Sequence, residues 1–421
     1  MKENMDVSAR NPKILYINHE TVASGATVHR DEFTHAALAL GANLKIHRHA
    51  NVHVPVGSGS GTGWKTTRQS LKEKFYRKWT ELSLMMITLK HGLAELRSIR
   101  HSRPDVVLVN YTAHISSVLL GRVLGIPVVL QIHCPYYLHA EYTGEYLRLG
   151  FFWKWIERQA IDMASEVVVI SELLRDYYVG LGFPREKFTV APNGVDTSRF
   201  CPEISGNPIR KKLGMEDALI VGFVGILEYW AGIDRLLDLL PRLAALPDNL
   251  KVLVIGAGPT EGLLRRIVAR NGFEDRVIFT GFVPHEEIPQ YMAAFDIAVA
   301  PYARVELFYA SPMKVIEYLA MGKPILTSNM GQAAELIRHG ESGLLYEPDD
   351  FKGMLDLLGS LVRSRELREQ LSCGAAARSR ELSLTWESNA ASILKVCRRA
   401  STHRNVGTIL RQKRGDAAKR A

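Results

Sequence analysis

The chain has 421 residues, 47% of them hydrophobic, a mean hydropathy of -0.04 and a formal net charge of +9. That length provides for two domains with separate cores, and that composition excludes a disordered or fibrous chain. Cys134, Cys201, Cys373 and Cys397 show no paired spacing, so neither a disulfide framework nor a zinc site is indicated, and a reducing, cytoplasmic compartment fits.

In chain order, the polar stretch from Met1 to Asn11 runs straight into an apolar strand, Lys13–Ile17, with no secretory apolar region before it. Strand-length apolar runs then recur at Asp105–Val109, Val128–Ile132, Val167–Ile170 and Phe188–Ala191, with helical patterns such as Glu32–Leu40 and Trp155–Ala164 between them. The longest membrane-span candidate, Val106 to Leu138, is broken by Asn110, His114, Arg122, Pro127 and Gln131, and reads as strand, helix, strand. A Pro/Gly/Asn-rich break follows at Pro192–Asp196 and Phe200–Pro208. Beyond it the alternation restarts at Ala218–Val224, Lys251–Ile255, Arg276–Thr280, Asp296–Ala300 and Pro324–Thr327. A last helix begins near Trp386, and its pattern fades after His403. This alternation predicts an α/β protein of two doubly wound domains facing across a cleft, divided as 1–200, 201–385 and a closing segment 386–421. The cleft is the expected active site.

The positive charge is concentrated. Residues 64–103 carry +7 and residues 395–421 carry +8, which leaves -6 for the rest. Trp64, Phe75, Tyr76, Trp79 and Leu82 interleave with the first basic block, and Phe151-Phe-Trp-Lys-Trp155 forms a second aromatic cluster. This pattern points to an anionic membrane surface as partner, and equally suits two solvated basic helices. No nucleic-acid motif accompanies the charge, so no nucleic-acid partner is expected.

The stretch Ser311-Pro-Met-Lys-Val-Ile-Glu-Tyr-Leu-Ala-Met-Gly-Lys-Pro-Ile325 reads as a loop, a short helix and a buried strand. Ser311 is the expected N-cap, Pro312 the first helical residue and Gly322 the stop. Lys314 and Glu317, three residues apart, then lie close together above free backbone N–H groups. Such a helix start is a seat for a phosphate beside a sugar diol: Lys314 and the amides take the anion, and Glu317 accepts from two hydroxyls. The same spacing also suits an ordinary amphipathic helix. Two glycine turns follow strands. Gly225–Gly232 allows close approach of backbone to a ligand, whereas Gly256-Ala-Gly258-Pro departs from GxGxxG and speaks against a nicotinamide cofactor.

Six segments in order resemble the group 1 (family 4) retaining glycosyltransferases of the GT-B fold: Pro192–Asp196, Gly225–Gly232, Val254–Gly258, Phe279–Val283, Ser311–Ile325 and Glu335–Leu345. The resemblance is strong in the C-terminal half and loose in the N-terminal half. It implies a C-terminal domain for a nucleotide-diphosphate sugar donor, an N-terminal domain for a glycan or lipid-linked acceptor, and a last helix that crosses back to the first domain. It also implies retention of anomeric configuration, with no metal and no cofactor beyond the donor itself. A work site at the cytoplasmic face of a membrane fits the basic segments.

By that resemblance Glu317 holds the ribose hydroxyls, and the backbone of Phe282 and Val283 pairs with the base. Gly25, in the loop Ser24-Gly25-Ala26, approaches the donor phosphate, and His133 contacts the transferred hexose. Tyr309, Ser311, Pro312 and Gly225 complete the donor site. The chain also departs from the family. The usual Arg after the first glycine is Ile226, the usual Lys before the second is Ala231, and Tyr309 replaces the first motif glutamate. A Ser-Pro-x-Lys branch shares this pattern, and there Lys314 supplies the positive charge. A catalytically silent sugar-nucleotide-binding scaffold and an epimerase on the same fold are the alternatives.

Overall fold

The structure, a computed structural model, describes residues 11–18, 25–48, 88–111, 115–135, 137–138, 150–242 and 247–418. Ser24, residues 64–87 of the basic block and the last three residues lie outside them, as do the side chains beyond Thr402. Two six-stranded parallel sheets are present. The first comprises β1 (Lys13–Asn18), β2 (Asn43–Arg48), β3 (Val106–Asn110), β4 (Val128–Ile132), β5 (Glu166–Val169) and β6 (Phe188–Val190), in the spatial order β2-β1-β3-β4-β5-β6. The second comprises β7 (Leu219–Val224), β8 (Leu250–Ile255), β9 (Val277–Gly281), β10 (Ile297–Ala300), β11 (Ile325–Ser328) and β12 (Leu344–Tyr346), in the order β12-β11-β10-β7-β8-β9.

Helices cover both faces of each sheet, and this is why the central strands read as continuous apolar runs. All five residues of β3 and of β4 are buried. The two strands absent from the sequence reading are both at edges. β2 alternates exposed and half-buried residues, and β12 is three residues long. Each sheet reverses its strand order once, between β1 and β3 and between β7 and β10. Ligands of doubly wound sheets bind at the carboxyl ends of strands beside such reversals.

The last helix, Trp386–Ala418, continues well past His403, where the sequence pattern ended it. It lies on the first sheet, where Trp386, Ala390, Ile393, Leu394 and Cys397 are buried in one cluster with Ile14, Tyr16, Phe33, Val106 and Leu108. Arg399 adds a two-pronged ion pair to Glu166, Nε to Oε1 at 2.7 Å and Nη2 to Oε2 at 2.7 Å. At its start this helix is laced to the stretch that leaves β6. Asn389 Nδ2 donates to the carbonyls of Ala191 and Pro192 at 3.2 and 2.7 Å, and Val195 N–H donates to Leu384 O at 3.0 Å.

Gly194 sits inside this lacing with no room for a side chain, since a Cβ there would lie 2.3 Å from Thr385 C and 2.4 Å from Trp386 N. Both are backbone atoms and cannot swing aside. Gly194→Ala is therefore expected to lower the unfolding free energy by about 1–3 kcal/mol, the usual range for overpacking. Urea unfolding measures it, and an unchanged midpoint would contradict the close approach.

Candidate functional site

The loops at the carboxyl ends of β7, β8 and β9 are bonded to each other through their backbones. Gly225 N–H donates to Ile255 O at 2.9 Å, and Gly256 N–H donates to Gly281 O at 2.9 Å. Gly225 has φ 138°, a conformation open to glycine and strained for other residues. A Cβ on it would lie 2.7 Å from Lys314 Nζ, so the ammonium group rests against the bare backbone of this turn. Below, the Phe223 ring centroid is 4.0 Å from Nζ, and the Tyr302 ring centroid is 5.4 Å away. Burial pulls the Lys314 pKa down to about 7, against the opposing pull of the Glu317 carboxylate. Lys314, Glu317 and Gly225 thus come together at the reversal between β7 and β10.

The positions without charge are explained by their surroundings. Ala231 is fully buried, so it has no access to the cleft, and Ile226 is 41% exposed but apolar. Phe282 is 68% exposed just beyond β9, while Val283 behind it is in the core. Among the described residues, Lys314 brings a cation against the Gly225 turn.

Ser311 and Pro312 differ from the sequence expectation. The helix is Met313–Ala320, its N-cap position is held by Pro312 (φ -78°, ψ 90°), and no side chain caps it. Ser311 is drawn away by the linker: its Oγ accepts from Asn193 N–H at 3.0 Å, and its carbonyl accepts from Asn193 Nδ2 at 2.9 Å. The Ser311 hydroxyl is thereby engaged in a clasp between two distant segments of the chain. Tyr309 is also turned toward the first half. Its ring packs on that half's core, and its carbonyl accepts from Ser171 Oγ at 2.8 Å.

The Asn193 clasp continues into the first half. Asn193 Oδ1 lies 2.8 Å from His29 Nδ1, and Gln131 Nε2 lies 2.5 Å from His29 Nε2. His29 sits one turn into the helix Gly25–Ala39, which begins at Gly25. Its ring meets that of His133 edge-on at 4.4 Å and that of Trp386 at 5.2 Å. Burial lowers the His29 pKa to about 4 despite the Asn193 bond, and burial together with His29 holds His133 well below 6.5. Both imidazoles are neutral at physiological pH. Among the described residues His133 Nε2 is buried without a hydrogen-bond partner.

A second polar chain escaped the sequence reading. Glu317 Oε1 lies 2.9 Å from His285 Nε2, and His285 Nδ1 lies 3.6 Å from Glu32 Oε1. Arg199 Nη1 lies 2.7 Å from the same Glu32 oxygen, and its Nη2 donates to His285 O at 3.3 Å. Burial alone would lower the His285 pKa, but bonds to Glu317 and Glu32 outweigh it and raise it to about 9. The sequence signals were faint: His285 follows Val283 by two residues, and Asn193 lies within the Pro-Asn-Gly-Val-Asp segment. Among the described residues no three His, Cys, Asp or Glu gather as a metal site would require.

Residues 207–378 match the sequence profile of the glycosyl transferases group 1, and residues 85–199 match that of Glycosyltransferase Family 4. Over 268 residues the chain is 26% identical to the alpha-D-kanosaminyltransferase of Streptomyces kanamyceticus, covering 61% of this chain and 67% of that protein. Over 199 residues it is 32% identical to a lipopolysaccharide core biosynthesis mannosyltransferase of Rhizobium meliloti, covering 45% of this chain and 55% of that one. In fold it superposes on the Anabaena protein HepE, crystallised with UDP-glucose, with a TM-score of 0.69 at 19% identity, over 91% of this chain and 99% of that one.

Lys314 has a consequence for stability. It is protonated in the unfolded chain up to its ordinary 10.5 but in the folded chain only up to about 7. Between these values the unfolded state binds more protons, so folding stability rises with pH there. Thermal melts of wild type and Lys314→Met from pH 7 to 10 should show wild type gaining on the variant as pH rises. Parallel curves would contradict the buried ammonium.

Proposed function

The chain belongs to the group 1 glycosyltransferases, and from that premise we propose that it moves a sugar from a nucleotide-diphosphate donor to a glycan or lipid-linked acceptor with retention of configuration, using neither metal nor cofactor. The observation that carries this reading is the Lys314 ammonium held against the Gly225 turn, three residues from Glu317. It supports a reading in which the cation meets the departing diphosphate and the carboxylate meets the ribose hydroxyls. In the Ser-Pro-x-Lys pattern this lysine replaces the charges absent at Ile226 and Ala231.

In this mechanism the anomeric C–O bond breaks, and its electron pair leaves with the β-phosphate. The acceptor hydroxyl attacks from the same face, and its proton passes to an oxygen of the leaving phosphate. Lys314, whose pKa is about 7 without ligand, becomes fully protonated beside the diphosphate, so binding takes up a proton. Neutral His133, with Nε2 unpartnered, offers the hexose a hydrogen bond rather than a charge. The exposed backbone beside Phe282 reads the base, and Gly25 lets the first half close on the phosphates.

The acceptor side turns toward a membrane surface in this reading. Beyond the basic segments 64–103 and 395–421, the packed helices Ser116–Leu124 and Gly150–Met163 expose Val123 (82%), Phe151 (76%) and Trp155 (54%). Apolar side chains near basic ones suit peripheral attachment to anionic lipid. Among the described residues no helix is long and apolar enough to cross a membrane.

Calorimetry with UDP, GDP and ADP should find one that binds in the micromolar range, with the affinity lost in Glu317→Ala. With the matching sugar donor, Lys314→Ala should lower kcat by about a hundred- to a thousandfold, the effect of removing one preorganised electrostatic group. Silence toward all three nucleotides would contradict the donor site, and binding without transfer would favour the scaffold reading, with Ile226 and Ala231 as its cause.

A further inference from the structure

Four charged side chains from four separate segments meet at the helix Met313–Ala320. Glu32 comes from the helix Gly25–Ala39 on the first sheet, Arg199 from the segment that leaves it, and His285 and Glu317 from the second half. The imidazole lies between two carboxylates, 2.9 Å from Glu317 Oε1 and 3.6 Å from Glu32 Oε1. Arg199 fixes both ends of the arrangement, holding the Glu32 carboxylate at 2.7 Å and the His285 carbonyl at 3.3 Å. The Phe200 ring, 5.4 Å away by centroids, covers the imidazole. With two cations and two anions the group is neutral as a set, and each carboxylate relies on a cation supplied from another segment.

The first half of the chain therefore reaches Glu317 through one side chain. We infer that His285 is a positioning residue, which holds the Glu317 carboxylate toward the donor's ribose and makes that hold depend on Glu32 across the cleft. The inference rests on the ribose role proposed for Glu317. Its chemistry is specific. A carboxylate that accepts from two sugar hydroxyls must present its free lone pairs at a fixed angle, and a bond from His285 Nε2–H to Oε1 sets that angle. Without the imidazole, Glu317 is free to turn toward Lys314, one turn earlier on the same helix, and away from the ribose. Without Glu32, the imidazole loses the partner of its second nitrogen, and its bond to Glu317 weakens without being removed.

The test is a binding comparison of UDP, GDP and ADP with their 2′-deoxy counterparts at pH 7, using wild type, Glu317→Ala, His285→Ala, Glu32→Gln and the double variant His285→Ala/Glu32→Gln. Inorganic pyrophosphate serves as a ligand without ribose. Wild type should prefer the ribonucleotide. His285→Ala should lose about tenfold in ribonucleotide affinity, equivalent to about 1.4 kcal/mol. Its ratio of ribo to deoxy affinity should fall toward one, while pyrophosphate binding stays put. Glu32→Gln should move the same ratio part of the way, and the double variant should be no worse than His285→Ala alone.

If Glu317→Ala abolishes the ratio while His285→Ala and Glu32→Gln keep it, the inference is overturned and the proposed function stands. A lower melting temperature in His285→Ala with the ratio intact would likewise reduce His285 to a structural role. If Glu317→Ala itself keeps the ratio, the ribose role of Glu317 fails and the inference goes with it. Should His285→Ala fail to fold, Glu32→Gln, which leaves the His285–Glu317 bond in place, decides the matter alone.

Discussion

An ammonium group resting on an aromatic ring, against a glycine turn and with one carboxylate nearby, costs the fold free energy while the site is empty. Lys314 is in that position, 4.0 Å above the Phe223 ring and with its pKa drawn down to about 7. Its neighbours follow from this placement. Gly225 is favoured as glycine by its φ of 138°, its bare backbone leaves room for Nζ, and the β7, β8 and β9 loops are bonded backbone to backbone. A buried, poorly solvated cation is weakly paired until an anion arrives, and then the low local dielectric makes it strong. In the proposed function, the cost of placing that cation is the counterpart of an affinity for a diphosphate.

A second constraint joins the halves. Asn193, in the stretch that leaves the first sheet, clasps Ser311 with two hydrogen bonds and His29 with a third. The start of the helix Met313–Ala320 is consequently tied to the histidine pair at the carboxyl end of β4, and the last helix is laced to the same stretch through Asn389. The Glu32–Arg199–His285–Glu317 chain makes a second connection, which reaches the helix Met313–Ala320 at Glu317. Two polar bridges of this kind join the halves, beside the apolar contacts that Tyr309 and Met313 make with the core of the first half.

Much of the architecture was legible because buried parallel strands write themselves as apolar runs. Val128–Ile132 was placed at its observed bounds, and nine others came within about a residue at either end. β2 and β12 were not legible. Asn43-Leu-Lys-Ile-His-Arg48 lies at an edge with polar residues facing out, and Leu344–Tyr346 is too short to carry a period. At the site, Lys314 and Glu317 were readable from helical spacing, because contacts three residues apart are local. The N-cap role of Ser311 was misread for the opposite reason: its partner, Asn193, is 118 residues away. Glu32, Arg199, His285 and His29 are likewise joined only by the packing of distant segments, which spacing along a chain does not encode.

The state of Lys314 in the free and the ligand-bound protein is the most direct test. An NMR titration of its side-chain methylene carbons, assigned by comparison with Lys314→Met, gives that pKa with and without a saturating nucleoside diphosphate. A value near 7 when free, rising by well over one unit when bound, is the predicted result. A value close to that of an ordinary lysine, unmoved by the nucleotide, would contradict the account.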